Sequence, residues 1–211
     1  MNLVSLLEIV LFTLSALGIY GWYFRIRWKM LVMGIPAIVG AYFIELYFVQ
    51  LSFIDMFVFL VVIAPIVEES LKFLCTFFGK DIRTATAVGL MFATVENLLY
   101  YISYSGIFLF VFSVREFTDP LLHMTTTSVS VQAWKKWKRR FYGIIMAVFM
   151  HSFWNWFSIQ ILGNSYMIYV VAIPYGVVLA WIVRRDRIKV RKEKSKINNE
   201  KNIEPHEEVL N

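Results

Sequence analysis

The stretch DMFVFLVVIAPIVEESLKFLCTFF, residues 55–78, decides how the chain is read. It is apolar and long enough to cross a bilayer core about 30 Å thick, which takes roughly 20 helical residues. Yet Glu68, Glu69 and Lys72 sit inside it. A soluble helix would turn such groups to water. In hydrocarbon each costs roughly 2.5–3.5 kcal/mol by insertion scales, and such groups mark functional sites by default. Composition settles which solvent applies. Of 211 residues, 59% are hydrophobic and 18% aromatic, and the mean hydropathy is +0.62. Soluble domains are about 45–50% apolar, and a globule of this size could not hide the excess. The chain reads as a membrane protein. Its one cysteine, Cys75, excludes an internal disulfide framework and a cysteine-based zinc knuckle.

Outward from this stretch, seven segments have the length and apolarity of a span: residues 3–24, 30–51, 55–78, 84–102, 114–134, 141–162 and 165–183. In the fifth, Arg115, Glu116, Asp119 and Pro120 crowd the start, so it is expected to begin late or to break near Pro120. The first is too long and too aromatic for a cleavable signal, and no small-residue cleavage site follows it. The expected fold is an all-α polytopic transmembrane bundle of about seven spans. Residues 1–183 form the membrane domain, and residues 184–211 form a charged tail expected to be solvated and poorly ordered.

Charge then sets orientation. Arg25, Arg27 and Lys29 follow the first span, Lys80 and Arg83 the third, Lys135 to Arg140 the fifth, and Arg184, Arg185 and Arg187 the seventh. The positive-inside rule puts these connections in the cytoplasm, the N-terminus outside and the tail inside. Ten of the 12 Lys/Arg before the tail obey this pattern; Lys72 and Arg115 do not. The pI of about 9.4 therefore reports topology and not nucleic-acid binding. The basic connections suit an anionic lipid face. A multi-pass protein of the cell membrane is the expected localisation.

Glu69, Glu96, His123 and His151 lie 9, 12, 11 and 10 residues from the cytoplasmic ends of their spans. At 1.5 Å per residue each sits roughly 14–18 Å deep. Four helices thus bring two carboxylates and two imidazoles to one level. Glu8 and Glu45 serve as controls, since each lies near an outer end, where a carboxylate can reach the headgroups or pair locally. Glu68 and Lys72, four apart, share a helix face and are expected to pair, with Glu69 turned about 100° away. Phe92, Glu96 and Tyr100 form one stripe, with Asn97 beside it. His123 shares a face with Thr126 and Thr127, and His151 with Asn155.

Two hydrolytic schemes suit this set. In one, Glu69, Glu96, His123 and His151 hold a metal such as Zn²⁺ with an open position. In the other, Glu69 activates water unaided, Glu68 is oriented by Lys72, and His151 with Asn155 stabilises the oxyanion. Lys72 would compete with a cation for the Glu68 carboxylate, which tilts the reading toward the metal-free scheme. A proton or ion path built on the same Glu/His relay belongs to a different class.

The motifs resemble those of the PrsW family of intramembrane proteases. Glu68-Glu69-Ser70-Leu71-Lys72 resembles its EExxK motif, and Phe92-Ala93-Thr94-Val95-Glu96-Asn97 with Tyr100 its FAxxEN…Y motif. His123 falls at its third-motif histidine. His151-Ser152-Phe153-Trp154-Asn155 resembles its HxxxD/N motif, with Asn155 where many members carry Asp. The resemblance implies a protease that cleaves a membrane-anchored protein, such as a regulatory anti-sigma-factor-like substrate. It extends to the CAAX-processing proteases, a wider group that also contains non-catalytic scaffolds.

Overall fold

The computed structural model describes residues 3–26, 28–51, 53–77, 81–103, 109–137, 140–160 and 168–203. Within them the chain is helical apart from short turns and contains no strand. In chain order, α1 is Leu3–Tyr23, α2 Gly34–Val49, α3 Met56–Val58, α4 Ala64–Phe77, α5 Ile82–Ser103, α6 Leu109–Trp137, α7 Arg140–Gln160 and α8 Ile168–Ile203. A 3₁₀ segment, Trp28–Met33, leads into α2, and a π-helical segment, Phe59–Ile63, joins α3 to α4.

The polarity of the bundle is inverted relative to a soluble protein. Leu11, Phe43, Tyr47, Phe149, Ile173 and Val177 are exposed, whereas Glu68, Glu69, Lys72, Glu116, Asp119, His123 and His151 are buried. An outer surface of that kind needs lipid against it. Among the described residues three stretches are long and apolar enough to cross a membrane: Trp28–Val49, Ile82–Ile102 and Ile168–Asn198. Ile9–Tyr23 in α1 is apolar but shorter. The charged α4 and α6 fall outside this set, because the groups that interest us are those that lower their hydropathy.

With no strong hydrophobic drive between helices inside lipid, close approach depends on small residues. A methyl group on Gly89 of α5 would collide with the His123 carbonyl on α6, and one on Gly143 of α7 would come within 2.6 Å of the Ser130 carbonyl. These two contacts draw α5 and α7 against α6, which becomes the central helix. Pro120 neither delays nor breaks α6, which runs unbroken from Leu109 to Trp137. The Tyr20 hydroxyl of α1 donates to the Phe117 carbonyl, in the turn that Pro120 closes.

The tail also departs from expectation. Helix, not irregular chain, follows Val183 and continues to Ile203, with the side chains of residues 184–198 exposed or half-buried. No Gly or Pro interrupts residues 177–203, Lys and Arg are good helix formers, and Lys189 pairs with Glu193 one turn on. Residues 204–211 lie outside the described residues, as does Arg27. At the same end of the bundle Arg187 donates to the Tyr23 carbonyl at 3.5 Å and has Arg25, Arg83 and Arg191 as charged neighbours.

Candidate active site

Pro65 has no N–H to give, so the backbone entering α4 cannot close normally. The helix widens to a π turn, in which the Ala64 N–H bonds the Phe59 carbonyl. The next carbonyl, Leu60, would look to residue 65 for its donor and finds proline. Asn155 of α7 supplies that donor instead, its Nδ2 lying 2.9 Å from the Leu60 oxygen. The amide expected to face an oxyanion is thus committed to the backbone of the cavity wall.

Two turns further on, Lys72 is wholly buried at the centre of the site. Its Nζ is 2.6 Å from Glu69 Oε1, 2.7 Å from His123 Nδ1 and 4.0 Å from Glu68 Oε2. The expected Glu68–Lys72 pair is present at 4.0 Å, and a closer Glu69–Lys72 pair at 2.6 Å joins it. Both spacings share a helix face, and the ammonium swings to the side where α6 offers further partners. Thr126 donates to Glu69 Oε1 at 3.0 Å, and His151 Nδ1 lies 2.8 Å from the same oxygen. One carboxylate oxygen thus receives three donors, while Glu69 Oε2 is buried without a hydrogen-bond partner among the described residues.

The chemistry of the donors fixes the rings. An ammonium only donates, so His123 accepts at Nδ1 and carries its proton on Nε2, 2.8 Å from Glu96 Oε2. His151 donates through Nδ1 to Glu69, leaving Nε2 as its lone-pair nitrogen. Each histidine is therefore backed by one acid, Glu96 for His123 and Glu69 for His151. Such outer carboxylates orient rings in metal sites.

Glu68 behaves differently. Its Oε2 is buried, has no hydrogen-bond partner among the described residues, and lies 3.9 Å from Nδ1 of both His123 and His151. Ligand atoms of Glu68, His123 and His151 all fall within 4.8 Å of one another. An unsatisfied carboxylate oxygen between two imidazoles suits a divalent ion of the zinc type. The acid in this group is Glu68, whereas the expected set named Glu69 and Glu96, which stand behind the rings. The Lys72 contact at His123 Nδ1 would have to yield to an ion there, since one lone pair serves one partner.

A cavity of about 490 Å³ reaches this point. Glu68, Glu96, His123, His151 and Asn155 line it; Glu69, Lys72 and Asn97 do not. Its other walls come from Tyr42, Phe59, Leu99, Val114, Ser158 and Ile168, at the helix ends remote from the Arg25–Arg83–Arg187 cluster.

Three wall residues were not foreseen as part of a site. Glu45, expected to reach the headgroups, lines the cavity with Oε1 buried and without a hydrogen-bond partner among the described residues. Arg115 and Asp119 line it too, paired at 2.7 Å. A signal for these two was present: Arg115, Asp119 and His123 recur at i, i+4 and i+8 on one helix face. The side chain of Glu8 lies outside the described residues.

A family model described as PrsW family intramembrane metalloprotease matches residues 23–182. The chain belongs to the PrsW family. The matched region covers α2 to α7 and most of the apolar part of α8, so every helix that brings a group to the site lies within it. PrsW membership places the buried Glu–His cluster in an intramembrane protease. No curated protein and no solved structure matches the chain.

Proposed function

We propose that this PrsW protein is a metal-dependent intramembrane endopeptidase that hydrolyses a peptide bond in or near the membrane segment of a membrane-anchored protein. The observation that carries this is the orphaned Glu68 Oε2 between His123 and His151 at the closed end of the cavity. Glu68, His123 and His151 would hold the ion. Zn²⁺ in such a site polarises a carbonyl and brings a bound water into the neutral range of acidity. Glu96 and Glu69 orient the two rings, and Lys72 with Thr126 holds Glu69 in place for that task. The largely apolar cavity excludes bulk water and accepts an unwound stretch of substrate helix, while Glu96 lies within reach to take a proton.

A metal-free scheme is the second reading, favoured by the Lys72 ammonium 2.7 Å from His123 Nδ1. There Glu68 takes the proton of the attacking water directly. In both, the chain lies in the cell membrane with seven spans, N-terminus outside, and its basic end against anionic lipid. A regulatory, anti-sigma-factor-like protein fits as the substrate class. The non-catalytic scaffold and the transporter are not favoured by the family assignment.

The test uses the full chain in liposomes with a tagged single-span reporter. Purified protein should contain a divalent metal by mass spectrometry, lose cleavage in chelator and regain it with Zn²⁺. Cleavage that persists after complete metal removal selects the metal-free scheme. Absence of cleavage, with metal restored, defeats the proteolytic reading.

A further inference from the structure

Arg115 is one of the two basic residues that break the topology pattern, and the site described above gives it no task. Its side chain, 27% exposed, stands in the cavity wall, where its Nη2 lies 2.7 Å from Asp119 Oδ2 and 3.4 Å from Glu96 Oε1. Its Nε donates to Asn97 Oδ1 at 3.2 Å, and its guanidinium lies 4.3 Å from the Tyr100 ring centroid. Glu96, Asn97 and Tyr100, which Phe92 precedes in one sequence motif, thus meet at a single guanidinium contributed by another helix.

We propose that Arg115 is a positioning residue: through Glu96 it holds the His123 ring with Nδ1 turned to the site. The proposal rests on the proteolytic reading only for its kinetic consequence. The two oxygens of Glu96 are divided, Oε1 to Arg115 and Oε2 to His123 Nε2. A planar fork that also grips Asn97 and stacks on Tyr100 fixes its own plane, which a lysine ammonium cannot do. Glu96, whose side chain is 28% exposed to the cavity, otherwise has its own torsions free to turn away. The ring would then lose the carboxylate 2.8 Å from Nε2 and with it its orientation. Asp119, one turn from Arg115 and one turn from His123, anchors the guanidinium from below. A simpler role, in which Arg115 only neutralises Asp119, leaves His123 indifferent to it. That difference can be measured.

The chain has three histidines, so ¹⁵N-histidine labelling of the full protein in detergent gives spectra assignable with His151→Gln and His206→Gln. The His123 Nε2–H proton should be downfield and protected from exchange. Arg115→Met should abolish that protection and lower kcat roughly 10–100-fold, the range for loss of an outer partner of a ligating histidine, while KM holds. Arg115→Lys should restore part of both. Asp119→Asn should leave the His123 resonance in place. A resonance unchanged in Arg115→Met, or a raised KM at unchanged kcat, overturns the proposal. If Arg115→Met does not accumulate, Arg115→Lys and Asp119→Asn decide: loss of the resonance in Asp119→Asn but not in Arg115→Lys assigns the effect to Asp119. If the wild type cleaves no reporter, the proteolytic reading falls while the spectra still settle the positioning role.

Discussion

Two adjacent glutamates on α4 meet opposite fates. Glu69 faces α6 and α7 and is bonded by Lys72, Thr126 and His151, all to one oxygen. Glu68, one residue earlier, faces the cavity with an oxygen that no described group satisfies. Burial is nearly equal, at 1% and 6% exposure. What separates them is the supply of donors. Glu69 also keeps one buried oxygen, Oε2, without a partner among the described residues, but its Oε1 is held by three groups whose own pairing depends on it, whereas Glu68 is free to take a partner from the cavity. On this comparison the closed side of α4 builds the site and the open side performs its chemistry.

The largest effect should come from Glu68→Gln. We expect cleavage to fall at least about 10²-fold, whether Glu68 holds the ion or takes the proton of the attacking water, with membrane abundance unchanged. Cleavage measured per milligram of protein in the membrane fraction checks this. Loss of abundance in parallel would erase the distinction between the two glutamates. Glu69→Gln should behave in the opposite sense. It leaves Lys72 charged and buried with only the longer 4.0 Å contact to Glu68 as an acidic partner, a change that approaches the about 3–5 kcal/mol of a broken buried pair, so abundance and thermal stability should fall first. The double variant Glu69→Gln with Lys72→Met should recover much of that loss, because no lone charge remains. A double variant as unstable as the sum of its parts would show that the pair is not the source of the effect. The smallest change is expected for Asn155→Ala. Its amide satisfies one carbonyl, so stability should drop by about 1 kcal/mol. If cleavage instead vanished at normal stability, Asn155 would belong with Glu68 on the open side.

Much of this site was legible in the sequence. Glu69, Glu96, His123 and His151 share a depth because helical rise is constant, and depth can be counted along a chain. The structure brings all four together, the two rings meeting edge to face at 5.1 Å between centroids. Spacing also placed Glu68 and Glu69 on different faces. It could not say which face met α6, since a helix can be turned about its own axis without altering its periodicity. For the same reason spacing gave the Glu68–Lys72 pair but not the closer Glu69–Lys72 one. Glu45 and Arg115 were passed over because depth was the criterion, and a cavity that runs from the middle of the bundle to one end collects residues at several depths. Asn155 was misread for another reason: the carbonyl it caps is left open only because Pro65 forces a π turn, a local consequence that reaches across to another helix.

The amino-acid sequence alone determined a helical membrane protein with ionisable groups gathered at mid-depth, since hydrocarbon tolerates such groups only where they face inward and serve a purpose. The assignment of partners belonged to tertiary structure. Which oxygen is satisfied, which ring nitrogen carries the proton and which acid meets the cavity all depend on how α4, α5, α6 and α7 are rotated against one another. Hydrogen bonds act over about 3 Å, and a helix rotation too small to alter any sequence pattern moves a side chain by more than that.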